Sequence, residues 1–350
     1  MKTPSAAASS SPRILIVRLS AIGDVIHGLP VLCALRERLP RAALAWVVEE
    51  PSAELLRGHQ ALDELVTLPK KWLKSPGIVR QLRRRLRAFE PDTAIDLQGL
   101  TKSAVAAWLS GAKRRIGFGD RNARELSRWF YTEKVTSQSR HVIDVYLELL
   151  RPLGIESPEV RFEITDHRAH RIAAKEIVRR AGCQGGFCVI HPGAGWPSKR
   201  WPPARYAAVS RRLGEQWGLP SMVVWAGDEG RAWAERIAAD SEGHAQLAPP
   251  MSLTELAALA RRARLYLGSD SGPLHLAAAV GTPCVGLYGP WPAERHGPYG
   301  PGHVVVQKMV CGGSTRRRRN APSKFMEAID VDSVCEACDR ILRRDTSHAA

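Results

Sequence analysis

The 350 residues contain no apolar run of 18 or more, so no membrane-spanning helix is expected. The first stretch, 1–12, is Ala/Ser-rich with one lysine and no apolar centre. It is expected to be a disordered tail rather than a signal peptide. Zinc-finger spacing, an RNA-recognition signature and a basic stripe interleaved with aromatics are all missing, which sets nucleic acid aside as a partner. Cysteine is sparse and scattered: Cys33, Cys183, Cys188, Cys284, Cys311, Cys335 and Cys338, several inside apolar runs. That suits reduced, buried thiols better than a disulfide framework. Cys335 and Cys338 do form a CxxC, but within the helical pattern VDSVCEACDRIL and without a second pair at metal-ligand spacing. No GxGxxG follows the first apolar run, which argues against an NAD-dependent oxidoreductase.

What is present is globular: 44% hydrophobic residues beside 25% charged ones, in a length that suits two domains. The formal charge of +16 points to a polyanionic partner or an anionic membrane surface. Short β-branched runs at 13–19, 44–48, 65–68, 93–97 and 115–118 alternate with helical patterns at 25–39, 78–89 and 101–109. The stretch 131–150 reads as largely helical, and 154–158 as a linker. A helix at 168–181 then opens a second series, with strands at 187–190, 222–225, 265–267, 284–288 and 303–306 and a last helix at 332–343. The expectation is an α/β protein of two doubly wound domains, 13–160 and 161–350, without a detectable sequence repeat. Two such domains facing each other place a ligand in the cleft between strand ends.

The chemistry-bearing residues follow the expected strands. Gly23, Asp24 and His27 come after the first, and HPGAGWPSKRWP (191–202) opens the second half. Gly227-Asp228-Glu229 follows its second strand, and Ser269 to His275 its third. In this last loop, small residues and a helix start offer free N–H groups and positive dipole to a phosphate. Asp24 reads in two ways: a carboxylate placed to take a proton, or the cap of the helix that follows. Asp330-Val331-Asp332 matches a DxD metal string, but it precedes the last helix and is expected to cap it.

Three segments, LSAIGDVIHGLPVL, HPGAGWPSKRWP and SDSGPLHLAAAVGTPCVGLYGP, resemble glycosyltransferase family 9, the ADP-heptose:lipopolysaccharide heptosyltransferases. WVVEE, DLQGLTKSA and RNARE look most like heptosyltransferase I. The resemblance implies a GT-B fold of two Rossmann-like domains facing a central cleft. It implies inverting, metal-independent transfer of heptose from ADP-L-glycero-beta-D-manno-heptose to Kdo of a lipid A precursor. The setting it implies is the cytoplasmic face of the inner membrane, with peripheral association. Asp24 is then the implied base, and Lys199 with the helix start at Ser271 and Gly272 the implied counter-charge to the leaving ADP. Gly195, Ser198, Asp228, Glu229, Asp270, Ser271, Gly272, Pro273 and Leu274 are donor-side candidates. His275 faces either the donor or the core.

The acceptor carries phosphate and carboxylate, which arginine forks suit. Arg18, Gly23, Lys70, Lys74, Gln98, Arg121 and Arg124 are the acceptor-side candidates, with ordinary surface charge as the competing reading. Trp72 and the basic helix 78–89 are expected to touch anionic lipid. One departure stands out: 310–326 keeps Cys311 but has an arginine run where family members often carry more cysteines. A different sugar donor or acceptor, or a non-catalytic nucleotide- or glycan-binding protein, are the alternatives; the presence of both Asp24 and Lys199 speaks against the second.

Overall fold

The computed structural model describes residues 11–50 and 52–348. The expected tail thus lies almost wholly outside the described residues. The chain forms two compact units: residues up to Ser139 with Ile143–Glu163, and Arg140–Val142 with Ile164 onward. No helix among the described residues is long and apolar enough to cross a membrane.

The first unit is a six-stranded parallel sheet of β1 (Arg13–Val17), β2 (Ala43–Glu49), β3 (Glu64–Leu68), β4 (Thr93–Asp96), β5 (Arg114–Phe118) and β6 (Glu133–Val135). Its spatial order is β3-β2-β1-β4-β5-β6. The central strands are near-continuous apolar runs because helices cover both faces of a parallel sheet, and β1 accordingly has four of its five residues buried. Helices α1 (Ile22–Arg38), α2 (Pro76–Ala88) and α3 (Thr101–Leu109) supply the crossovers. On α2, Leu82 and Leu86 are buried while Arg83 and Arg84 stay in water.

The second unit repeats the plan. Its strands are β7 (Cys188–His191), β8 (Ser221–Val223), β9 (Ala245–Leu247), β10 (Leu265–Ser269), β11 (Cys284–Tyr288) and β12 (Val304–Gln307), in the order β12-β11-β10-β7-β8-β9. Counted from its own first strand, this is the same winding as in the first unit. Each sheet therefore reverses direction beside its first strand, between β1 and β4 in one unit and between β7 and β10 in the other.

Three expectations need correction. The stretch 131–150 is not one helix: β6 comes first, and a short helix, Val142–Leu147, runs into a 3-10 turn, Glu148–Leu153. Tyr131 and Val135, four apart, satisfy a helical pattern equally well, so periodicity could not separate the two. The short edge strand β9 carried no apolar signal of its own. Trp72, expected at a lipid surface, is 1% exposed and belongs to the first unit's core with Leu68, Leu82 and Leu86. Its neighbour Leu73 faces water instead. Elsewhere the quieter expectations hold. Asp330 accepts the Ser333 N–H at 2.7 Å at the start of the last helix, Val331–His348, and Cys335 and Cys338 pack in the second core.

Candidate active site

In the first unit the loop after β1 and the loop after β4 meet at the sheet's reversal. The Leu19 N–H donates to Gln98 Oε1 at 2.9 Å, and the Trp46 indole donates to the Arg18 carbonyl at 3.1 Å. Trp46 is buried against Gly28 of α1, where a Cβ would come within 2.9 Å of the indole. The loop that delivers Asp24 is thus held from both sides.

Asp24 sits in the first turn of α1. Its Oδ2 accepts the Ala21 N–H at 3.2 Å and pairs with Arg18 Nη2 at 2.5 Å, while a third of the side chain stays exposed. The helix starts at Ile22 rather than Val25, so Asp24 is not its N-cap but bonds back to the Ala21 N–H from the first turn, and the carboxylate stays accessible. Arg18 departs from expectation. Its guanidinium is buried, donates through Nη1 to the Leu97 carbonyl at 2.9 Å, and lies over the Tyr146 ring. Packed there, it is 5% exposed and is paired with Asp24 rather than open to solvent.

Behind this loop, Asp96 is fully buried. It accepts from the Tyr131 hydroxyl at 2.7 Å, the Ser103 hydroxyl at 2.8 Å and the Gln98 N–H at 2.8 Å. Burial raises its pKa despite these bonds. Gly99 has φ +67°, and a Cβ there would lie 2.3 Å from the Asn122 carbonyl oxygen. Only glycine lets the Gln98 loop touch the loop of Arg121 and Arg124, and the Arg124 N–H donates to the Gly99 carbonyl at 2.8 Å. Gly23 lies beside Asp24 in α1, whereas Lys70 and Lys74 are exposed beyond β3. Sequence reasoning missed Lys102, which donates to the buried Glu49 at 2.9 Å and reaches Ser20 Oγ at 3.4 Å.

The second unit gathers its polar residues at the equivalent reversal, after β7 and β10. A 3-10 turn, Pro197–Lys199, aims Lys199 Nζ at Asp270 Oδ2, 2.5 Å away, with the two side chains 15% and 8% exposed. The same Nζ lies 4.3 Å from the centre of the Trp291 ring, and His275 Nε2 lies 3.3 Å from Asp270 Oδ1. Burial alone would raise the Asp270 pKa; the charge of Lys199 and the hydrogen bond from His275 hold it well below the carboxylate range instead. His191, pushed down to about 4 by burial, is neutral at pH 7, and its Nδ1 lies 3.4 Å from Ser271 Oγ.

Helix α4 (Gly272–Ala279) starts here with no side chain capping it. Leu274 is buried, so only its backbone can face a ligand, and Pro273 has no N–H to offer. Ser198 is buried with no partner for its hydroxyl among the described residues. Gly195 is exposed in the turn just before it. Asp228 and Glu229 both lie exposed at the start of the helix Gly227–Asp240. Arg200, next to Lys199, grips Glu229 with both nitrogens, at 2.5 and 3.0 Å. Arg200 and Trp291 were not foreseen. A tryptophan in the GPWP loop after β11 was the available signal.

Among the described residues, one group has metal-ligand composition: Cys33, His59 and Glu163, whose donor atoms lie within 4.8 Å of one another. Burial pushes the Cys33 thiol up to about 11, and His59 Nδ1 already accepts the Ala61 N–H at 3.2 Å. These are features of packed core groups rather than of a prepared ligand set.

Two Rossmann-ordered sheets, each with its polar side chains at the switch point, have the two-domain plan of the GT-B fold. A glycosyltransferase family 9 protein from Veillonella parvula shares the fold, with a TM-score of 0.84 over 97% of this chain and all of that one at 24% identity. Escherichia coli heptosyltransferase WaaC, solved with ADP, superposes with a TM-score of 0.74 over 94% of this chain and 99% of its own at 25% identity. Lipopolysaccharide heptosyltransferase 1 of Pseudomonas aeruginosa is 31% identical over 302 residues, 83% of this chain and 82% of the relative. The sequence profile of glycosyltransferase family 9 (heptosyltransferase) matches residues 79–324, and the chain belongs to that family. Within it, the similarity runs to heptosyltransferase I.

Proposed function

We propose that the protein transfers heptose from ADP-L-glycero-beta-D-manno-heptose, with inversion, to a Kdo hydroxyl of a lipid A precursor. The observation that carries this reading is Asp24: a carboxylate fixed by a buried arginine and a backbone N–H, yet still accessible. Asp24 takes the proton of the acceptor hydroxyl as its oxygen bonds to the anomeric carbon. The bond from that carbon to the diphosphate breaks, and ADP leaves with the electron pair. Lys199 and the start of α4 meet the charge that builds on the diphosphate, so the step needs no divalent ion in this reading. Lys199 is held by Asp270 before donor binds. Asp270 is then positioned to accept sugar hydroxyls, and Asp228 or Glu229 those of the ribose.

Lys70, Lys74, Arg121 and Arg124 bind the acid groups of the acceptor, while the buried Gln98 holds the loop that carries Asp24, in a protein working at the cytoplasmic face of the inner membrane. The relatives' names and the ADP in the E. coli heptosyltransferase structure support donor and reaction class. The test is incubation with ADP-heptose and Kdo-lipid A, followed by mass analysis and anomeric assignment of the product. A product one heptose heavier with inverted configuration is expected. Turnover of another sugar nucleotide with none of this one would replace the reading.

A further inference from the structure

A 3-10 turn, Ser127–Phe130, lies along α3 in the first unit. It is tied down at both ends. The Leu126 N–H donates to Thr101 Oγ1 at 3.1 Å, at the start of the helix, and Arg115 Nε donates to the Phe130 carbonyl at 2.7 Å. Phe130 meets Trp108, near the end of α3, edge to face at 6.4 Å. The Trp129 N–H donates to the Leu126 carbonyl at 3.1 Å, and residues three apart in such a turn eclipse, so Leu126 and Trp129 share a side.

That side is apolar and open to water. Trp129 is 84% exposed, Leu126 61% and Trp108 55%, and Trp108 is the one exposed residue of α3. Clustered exposure of this kind marks an interaction surface. The stretch 121–130 is net positive. Arg121, Arg124 and Arg128 are exposed and take part in no ion pair among the described residues. The one acid in the stretch, Glu125, is also exposed, and its Oε2 accepts the Thr101 N–H at 3.1 Å, so three arginines stand against one carboxylate.

We propose that this face docks the protein on an anionic bilayer. Trp129, Leu126 and Trp108 enter the boundary between headgroups and acyl chains, and the three arginines meet lipid phosphates. The occupant follows from charge. A second copy would bring three more arginines against these three, whereas an anionic surface complements them, as it does the chain's +16. The inference extends the heptosyl-transfer reading by naming the surface from which a lipid-borne acceptor is reached.

The test uses the whole chain at low salt without donor or acceptor, so it stands or falls separately from that reading. Phosphatidylethanolamine vesicles containing phosphatidylglycerol are compared with phosphatidylcholine vesicles by co-sedimentation. Binding to the anionic vesicles only is expected, and Leu126→Ser with Trp129→Ser lowers the partition coefficient about tenfold or more at an unchanged melting temperature. Lipids brominated on the acyl chain are expected to quench wild-type tryptophan emission more than that of Trp129→Phe. Three results would overturn the proposal. These are equal partition of wild type and double variant, equal binding to both vesicle types, and a wild-type dimer in light scattering that the double variant dissolves.

Discussion

Replacing Lys199 by methionine removes one partner of a nearly buried ion pair while keeping the length of the side chain. Asp270, 8% exposed, is left with the His275 Nε2 at 3.3 Å as its nearest polar partner. Breaking such a pair from one side costs ~3–5 kcal/mol. With His275 still present the lower end applies, so ~3 kcal/mol, or a melting temperature lowered by ~6–12 °C for a unit of this size. Adding Asp270→Asn removes the stranded charge and is expected to restore most of that loss. Activity should not return with stability, because the developing diphosphate charge still lacks its cation; kcat is expected to stay ~10²–10³ below wild type.

The acid limb gives an independent check. Asp270 has a folded pKa below its unfolded value, so its stabilisation is present above about pH 4 and is lost as pH falls through the lower, folded value. Asp270→Asn should therefore show a shallower loss of stability on acidification than wild type. Thermal melts across pH and steady-state kinetics on the same three variants read all of this. A Lys199→Met protein that melts with wild type refutes the energetic role of the pair. A double variant with wild-type kcat refutes the role of Lys199 toward the leaving group.

Three further outcomes are expected. Asp24→Asn keeps an acceptor for the Ala21 N–H but leaves the buried Arg18 guanidinium without its carboxylate, which should cost ~1–3 kcal/mol, and it should lower kcat by ~10²–10⁴; full activity in a folded protein would remove Asp24 as the base. Transfer is expected to survive EDTA, and a strict requirement for Mg²⁺ would displace the account built on Lys199 and the start of α4. Gly99→Ala should cost ~1–3 kcal/mol in denaturant unfolding, because φ is +67° and the new Cβ would meet the Asn122 carbonyl. It should also raise KM for the acceptor, since the Gln98 and Arg124 loops are held together there; unchanged stability would contradict the close contact.

Much of this architecture was legible along the chain. Strands buried on both faces read as apolar runs, and α3 was expected at 101–109, the span it occupies. The winding β3-β2-β1-β4-β5-β6 and its counterpart in the second unit follow from alternating strands and helices, yet no sequence repeat announced that the two agree. Topology repeats because crossover geometry is restricted, whereas the side chains filling each core are free to differ. Short polar edge strands such as β6 and β9 escaped, since pairing rather than composition makes them strands.

Local sequence determined the candidates: Asp24 after β1, Lys199 after the glycine-rich turn, Asp270 before α4. Folding alone decided their state. Lys199 and Asp270 are 71 residues apart in sequence, and their pairing exists because β7 and β10 are hydrogen-bonded neighbours. The same holds for Arg18, which a linear reading turns outward to the acceptor and the packed loop turns inward to Asp24 and the Leu97 carbonyl. Tryptophan shows the division most directly. The sequence offers Trp72 and Trp129 beside equally basic stretches, but one fills the first core at 1% exposure and the other stands 84% exposed on a turn. Residue type sets how much apolar area a tryptophan carries; only the packed neighbours determine whether water, core or lipid receives it.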